Sequence, residues 1–220
     1  MCGRFTRSQT IDEIAEAFFA DIVEADLGPS YNVAPTQNIV SIAGNSVKRL
    51  VAMRWGLIPS WAKDDSMASK LINARAETVA EKPSFRDAFK KRRCLIVADG
   101  FYEWKKAGTE KIPYYIRLKS KEPFAFAGLF DHWEAPEGKV LTTCTLITTE
   151  ANELMSKLHE RMPVILPREQ YELWLDASVK NQDTLKEMLK PFSPDLMEAY
   201  PVSRLVNSRP IFTGIFIVSK

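Results

Sequence analysis

The second residue of the chain is a cysteine, in the opening Met1-Cys2-Gly3-Arg4-Phe5. Methionine aminopeptidases trim Met before a small side chain, so the mature chain is expected to begin at Cys2. One residue would then carry a free α-amine and a thiol, a 1,2-aminothiol. An α-amine titrates near pH 8 and a thiol near 8.5, so both have a reactive fraction at neutral pH. Such a group can attack an acyl carbon through sulfur with its own amine as base. It can also condense with an aldehyde, the amine forming an imine that the thiol closes into a five-membered thiazolidine. Taken alone, the dipeptide reads as a start codon followed by an arbitrary residue.

A nucleophile needs partners, and few are on offer. Glu103 lies in Gly100-Phe101-Tyr102-Glu103-Trp104, a carboxylate among aromatics. Burial beside apolar rings would raise its pKa toward the range where it trades protons at neutral pH. His159, one of two histidines, sits in Leu158-His159-Glu160-Arg161-Met162-Pro163 and has the natural acid–base side chain for pH 7. By local rules alone it reads as a surface or capping residue, as does His132. Asn73 and Arg75 are two apart, so in an extended stretch both would face one site. There an amide could hold an amine or a developing oxygen charge, and an arginine could clamp a phosphate. The same local rules make Asn73 a helix N-cap. Arg4, two residues from Cys2, would share its face on a strand. Trp55, Trp61 and Pro35 offer stacking surface near Arg54 and Lys63, which suits single-stranded nucleic acid.

These residues must be positioned by a scaffold. Ser8 is expected to cap a helix with apolar positions Ile11, Ile14, Ala15 and Phe18. Strands are expected at 38–43, 47–55, 94–98, 101–105, 114–118, 124–130, 141–148 and 198–202. Short helices are expected at 83–91, 151–159, 168–175 and 182–189, with a loose tail at the end. The pattern predicts one α+β domain over residues 1–220, with a mostly antiparallel, barrel-like β core and flanking helices.

Composition sets the boundaries of function. At 220 residues and 45% apolar, the chain can bury a core without disulfides. Three cysteines without a CxxC pair argue for a reducing compartment and against a zinc site. No apolar run approaches the roughly 20 residues that span a bilayer, so a cytoplasmic protein away from membranes is expected. The net charge of +2 does not by itself announce a nucleic-acid binder. Lys90-Lys91-Arg92-Arg93 reads as a solvated helix end. No P-loop, dinucleotide fingerprint or metal-ligand spacing occurs, so neither cofactor nor metal is expected.

Six segments in order resemble the SRAP family of abasic-site processing proteins, also called SOS-response-associated peptidases. They are MCGRF at 1–5, YNVAPTQ at 31–37, MRWGLIPSW at 53–61, NARAET at 73–78, GFYEW at 100–104 and HERMPVIL at 159–166. The resemblance implies covalent capture of abasic sites in single-stranded DNA as a thiazolidine. It implies Cys2 as nucleophile, with Asn73, Glu103 and His159 completing the site. Arg4, Arg75 and Arg161 would hold DNA phosphates, and Trp61 with Pro35 would pack on neighbouring bases. Peptidase activity is implied as well, by which the chain itself would remove Met1, with a methionine aminopeptidase as the other route. The expectation is a monomer, associated with the nucleoid if the source is bacterial. The competing reading is an N-terminal-nucleophile hydrolase, because class II glutamine amidotransferases also open Met-Cys-Gly. That reading leaves Arg4, the tryptophan loop and the Glu103 and His159 segments unexplained.

Overall fold

Five strands of apolar, β-branched and aromatic residues close on themselves. Asn38–Ala43 pairs antiparallel with Arg49–Trp55 on one side and Arg93–Ala98 on the other. The ladder continues through Phe124–Glu134 to Val140–Glu150. A parallel contact, Thr143 beside Arg54 and Cys144 beside Trp55, then joins the last strand to Arg49–Trp55. Closure leaves these strands no free edge over that stretch. The computed structural model describes residues 2–207. A second sheet runs in the order Met197–Pro201, Glu110–Leu118, Gly100–Ala107, Phe5–Arg7, Ser30–Val33. The expected mostly antiparallel, barrel-like α+β core is what the chain builds.

The barrel and the second sheet meet through aromatic rings. Phe5 packs 5.2 Å from Trp55 and 5.9 Å from Phe126, and Phe101 lies 6.0 Å from Phe126. Cys2 belongs to this apolar cluster and is fully buried. Trp55 is therefore core, contrary to its expected place on a stacking surface. It ends a barrel strand facing inward, and its indole N–H donates to the Ile72 carbonyl at 2.9 Å.

Several local expectations change. The first helix, Ile11–Phe18, is capped by Thr10 in a reciprocal capping box with Glu13. Ser8, the expected cap, is held instead by Asp99. Phe19 in the left-handed region ends the helix. Residues 151–159 form only a 3-10 turn at Met155–Lys157. The reason is tertiary: Glu150 and Arg161 are cross-strand partners, about 5 Å apart in such a ladder. A nine-residue helix would hold them about 13 Å apart. Asn73–Arg75 is a strand, parallel to Val140–Glu150, so the helix-cap reading of Asn73 fails and the extended one holds. The basic run 90–93 is only half solvated. The Arg93 guanidinium is buried against the carbonyls of Phe89, Lys90, Trp174 and Asp176, and Arg92 pairs with Asp131. The expected tail lies largely outside the described residues. Among those described, no helix is long and apolar enough to cross a membrane.

Candidate active site

Three backbone arrangements bring the reactive side chains together. Phe5 and Thr6 pair with Phe101 and Gly100, and the Tyr102 N–H donates to the Arg4 carbonyl at 2.9 Å. This lays the Cys2 segment along the strand that carries Glu103. Val140–Glu150 then receives Asn73–Arg75 as a parallel neighbour and Arg161–Pro163 as an antiparallel one. One strand thus delivers Asn73 and the His159 segment to the same end of the fold.

Asn73 reaches Cys2 directly. Its Nδ2 donates to the Cys2 carbonyl at 2.9 Å, while its buried Oδ1 has no hydrogen-bond partner among the described residues. Burial, then the nearby Glu103 charge, push the Cys2 thiol far above its ordinary value. At neutral pH the sulfur is un-ionised, and losing its proton requires a base. Glu103 is only 5% exposed, and burial pushes its carboxyl up to about 7. It is poised to take and return protons near neutrality.

His159 Nε2 lies 3.9 Å from Glu103 Oε1, an ion-pair distance too long for a hydrogen bond. The Arg161 backbone N–H donates to His159 Nδ1 at 3.0 Å. In the neutral ring the proton must then sit on Nε2, the nitrogen facing Glu103. Burial lowers the His159 pKa, which favours that neutral form. The ring offers a fixed N–H donor beside a carboxyl that changes charge near pH 7.

The expected DNA-contact residues fall into two groups. Arg75 is exposed beside the half-buried Asn73, with Ala74 buried between them, as alternation on a strand requires. Trp61 is 57% exposed on a loop with a pinned base: Ile58 N–H donates to Thr143 Oγ1 and Ser60 N–H to Asp131 Oδ2. Pro35 is half-buried in a turn fixed by Ala34 N–H to Gln37 Oε1 and by Thr36 at φ 73°. A β-branched residue in the left-handed region is uncommon and marks a turn held by its surroundings. Arg4 and Arg161 already serve the protein. Arg4 Nη1 donates to Asn32 Oδ1 at 2.8 Å and to the Val206 carbonyl at 3.0 Å. Arg161 makes a two-pronged pair with Glu77 at 2.6 and 3.0 Å and also binds the Thr148 carbonyl. His132 stays apart, on Thr142 and against Phe130.

Sequence reasoning missed Glu77, Asn32 and Asp99, the groups that hold these cations and strands in place. Glu77 lies inside NARAET, two residues beyond Arg75 (the only local hint it offered).

Residues 1–209 match the family model for SOS response associated peptidase (SRAP). The chain belongs to the SRAP family. Among SRAP relatives, abasic site processing protein YoqW of Bacillus subtilis is 53% identical over 212 residues, covering 94% of this chain and 95% of that protein. Abasic site processing protein HMCES of Xenopus tropicalis is 37% identical over 213 residues, covering 82% of this chain and 63% of that protein. A crystal structure of a protein from Bacteroides thetaiotaomicron superposes with a TM-score of 0.86 at 31% identity, covering 93% of each chain. The SRAP fold therefore extends to a chain with under a third of its residues in common.

Proposed function

We propose that this protein captures abasic sites in single-stranded DNA as a covalent thiazolidine, using the amine and thiol of Cys2 once Met1 is removed. The observation that carries the reading is the convergence of Asn73, Glu103 and His159 on the buried Cys2. The names of the relatives, abasic site processing proteins, supply the substrate class. The amidotransferase alternative gains nothing comparable beyond its first three residues.

The chemistry follows from the residues. An abasic sugar equilibrates with a ring-opened aldehyde. The Cys2 amine, relieved of its proton by Glu103, adds to that carbon; Glu103 returns the proton to the new hydroxyl, which leaves as water to give a protonated imine and a carboxylate again at Glu103. We assign Asn73 Oδ1 as acceptor for the freed amine and the His159 N–H as donor to the departing sugar oxygen. The thiol then adds to the imine carbon, its proton passing to Glu103. An imine alone hydrolyses readily and promotes strand-breaking β-elimination at the sugar. Ring closure removes the electron-withdrawing iminium and preserves the strand. Removal of Met1 by the chain's own thiol is part of this proposal, with a methionine aminopeptidase as the other route.

The reading is tested by a denaturing gel of Met1-free protein with a labelled oligonucleotide carrying one abasic site. A heat-resistant shifted band requiring both the lesion and Cys2 is expected. No band, with Met1 removal verified, would overturn it.

Two substitutions separate the cations. Arg75→Ala should weaken non-covalent binding and reduce its salt slope by about one phosphate's worth; an unaltered slope would make Arg75 structural. Glu77→Gln removes the charge opposing Arg161 and should do the reverse, tightening binding and steepening the slope by a similar amount. Unchanged affinity in that variant would mean that Arg161 serves only to tie its strand to residues 75–77.

A further inference from the structure

Few strand pairs hold the segment that carries Cys2 in register. Phe5–Arg7 is a three-residue strand, and its pairing with Ser30–Val33 shifts register between Phe5 and Arg7. The irregularity interrupts the ladder on that side. On the other side, only two residue pairs join Phe5–Arg7 to Gly100–Ala107. A slip of one residue there would turn Cys2 away from Glu103.

One buried carboxylate spans the junction. Asp99 lies where the chain leaves the barrel strand Arg93–Ala98 and enters Gly100–Ala107, the strand of Glu103. Thr6 Oγ1 donates to Asp99 Oδ1, and Ser8 donates to Asp99 Oδ2 through its hydroxyl and, at 2.7 Å, its backbone N–H. The Asp99 N–H returns a bond to the Thr6 carbonyl at 3.0 Å. Tyr115 Oη meets Thr6 Oγ1 at 2.9 Å, extending the network to the next strand of the same sheet. Gly100 makes room for it, since a Cβ there would stand 2.2 Å from Tyr115 Oη. Asp99 also faces the buried Arg7 guanidinium, whose charge it supports.

We propose that Asp99 is a positioning residue, which through Thr6 and Ser8 sets the register of the Cys2 segment against the Glu103 strand. The proposal rests on the capture reading for its kinetic consequence, while its geometric consequence is independent. Thr6 is four residues from the nucleophile and Asp99 four from Glu103, so the carboxylate ties the two halves of the site at nearly equal reach. Displacements of about 1 Å can slow a reaction up to a hundredfold, and loss of a single donor to Asp99 should cost about tenfold.

The test compares wild type, Thr6→Val, Thr6→Ser and Ser8→Ala, with Asp99→Asn as the severest change. Thr6→Val removes one hydroxyl while keeping the shape of the side chain, and Thr6→Ser keeps the hydroxyl. Expected is capture about tenfold slower in Thr6→Val, restored in Thr6→Ser, with affinity for an intact single strand unchanged. Ser8→Ala, at the half-buried edge, should show the same direction and a smaller loss, which serves if Thr6→Val does not fold. The second readout is the titration of Glu103 by isotope-edited NMR of its carboxyl. The charged and titratable groups acting on it are the amino terminus, which lowers it, the Cys2 thiol and His159, with Glu160 and Lys106 acting on that ring. A loosened Cys2 segment would wet Glu103 and lower its midpoint in Thr6→Val and in Ser8→Ala. Wild-type capture rates together with an unmoved Glu103 midpoint in both variants would overturn the proposal. Failure of wild type to form any adduct would overturn the capture reading alone, and the Glu103 midpoint would still decide the role of Asp99.

Discussion

Replacing Cys2 by serine is expected to abolish the heat-stable adduct while leaving a labile one that borohydride can trap. The serine amine can still form an imine, but its hydroxyl is a far weaker nucleophile than a thiol and does not hold the ring. Strand scission at the abasic site should rise above the wild-type level, because a persisting imine promotes β-elimination. Gel analysis with and without borohydride checks this. A heat-stable adduct from Cys2→Ser without reductant would refute the division of labour between amine and thiol. The substitution is nearly isosteric, and the Arg4 carbonyl that Cys2 Sγ approaches at 3.9 Å offers the serine hydroxyl an acceptor, so the fold should survive it.

Glu103→Gln is expected to slow capture by about 10²–10⁴-fold, the usual worth of a positioned acid–base group. It should also change two pH profiles. Wild-type capture should climb with pH through about 7 as Glu103 ionises, whereas the variant should follow only the amine near 8. Stability should move the other way. The folded pKa of about 7 lies above the ordinary 4.5, so the folded chain holds this proton more tightly than the unfolded one. That contribution is fully present below 4.5 and is lost as pH rises through 7. A glutamine never ionises, so Glu103→Gln should match wild type at pH 4 and exceed it at pH 8 by about 3 kcal/mol. Thermal midpoints at the two pH values measure this, each kcal/mol being worth about 2–4 °C for a chain of this size. A variant no more stable than wild type at pH 8 would mean that Glu103 is not ionised at a cost, and its proposed role would go with it. A site that keeps a costly carboxylate for chemistry would show both effects together.

Much of the scaffold was legible because strands buried on one or both faces leave plain apolar runs. Residues 38–43, 94–98 and 124–130 were readable in this way, and the structure lengthens them by a few residues at most. The helix at 151–159 was not readable correctly, since only the distant pairing of Glu150 with Arg161 forbids it. Asn73 was ambiguous for the same reason: whether an Asn caps a helix or lies on a strand depends here on Leu146, seventy-odd residues away. Cys2 and Glu103 stood out by type and neighbours, and the six motifs identified the family. What the local sequence could not carry was the set of partners drawn from elsewhere in the chain. The three donors to Asp99 are set by strand register. Arg161 reads in the sequence as a cation for phosphate, and the fold sets Glu77 across from it.

The central claim is that the Cys2 amine and thiol together close on the lesion. Intact mass analysis of a heated, denatured mixture of Met1-free protein and abasic oligonucleotide, without reductant, tests it most directly. The account predicts one new species whose mass is the sum of the two components less one water. Recovery of only the separate components, with Met1 absent and the abasic strand uncut, would contradict it.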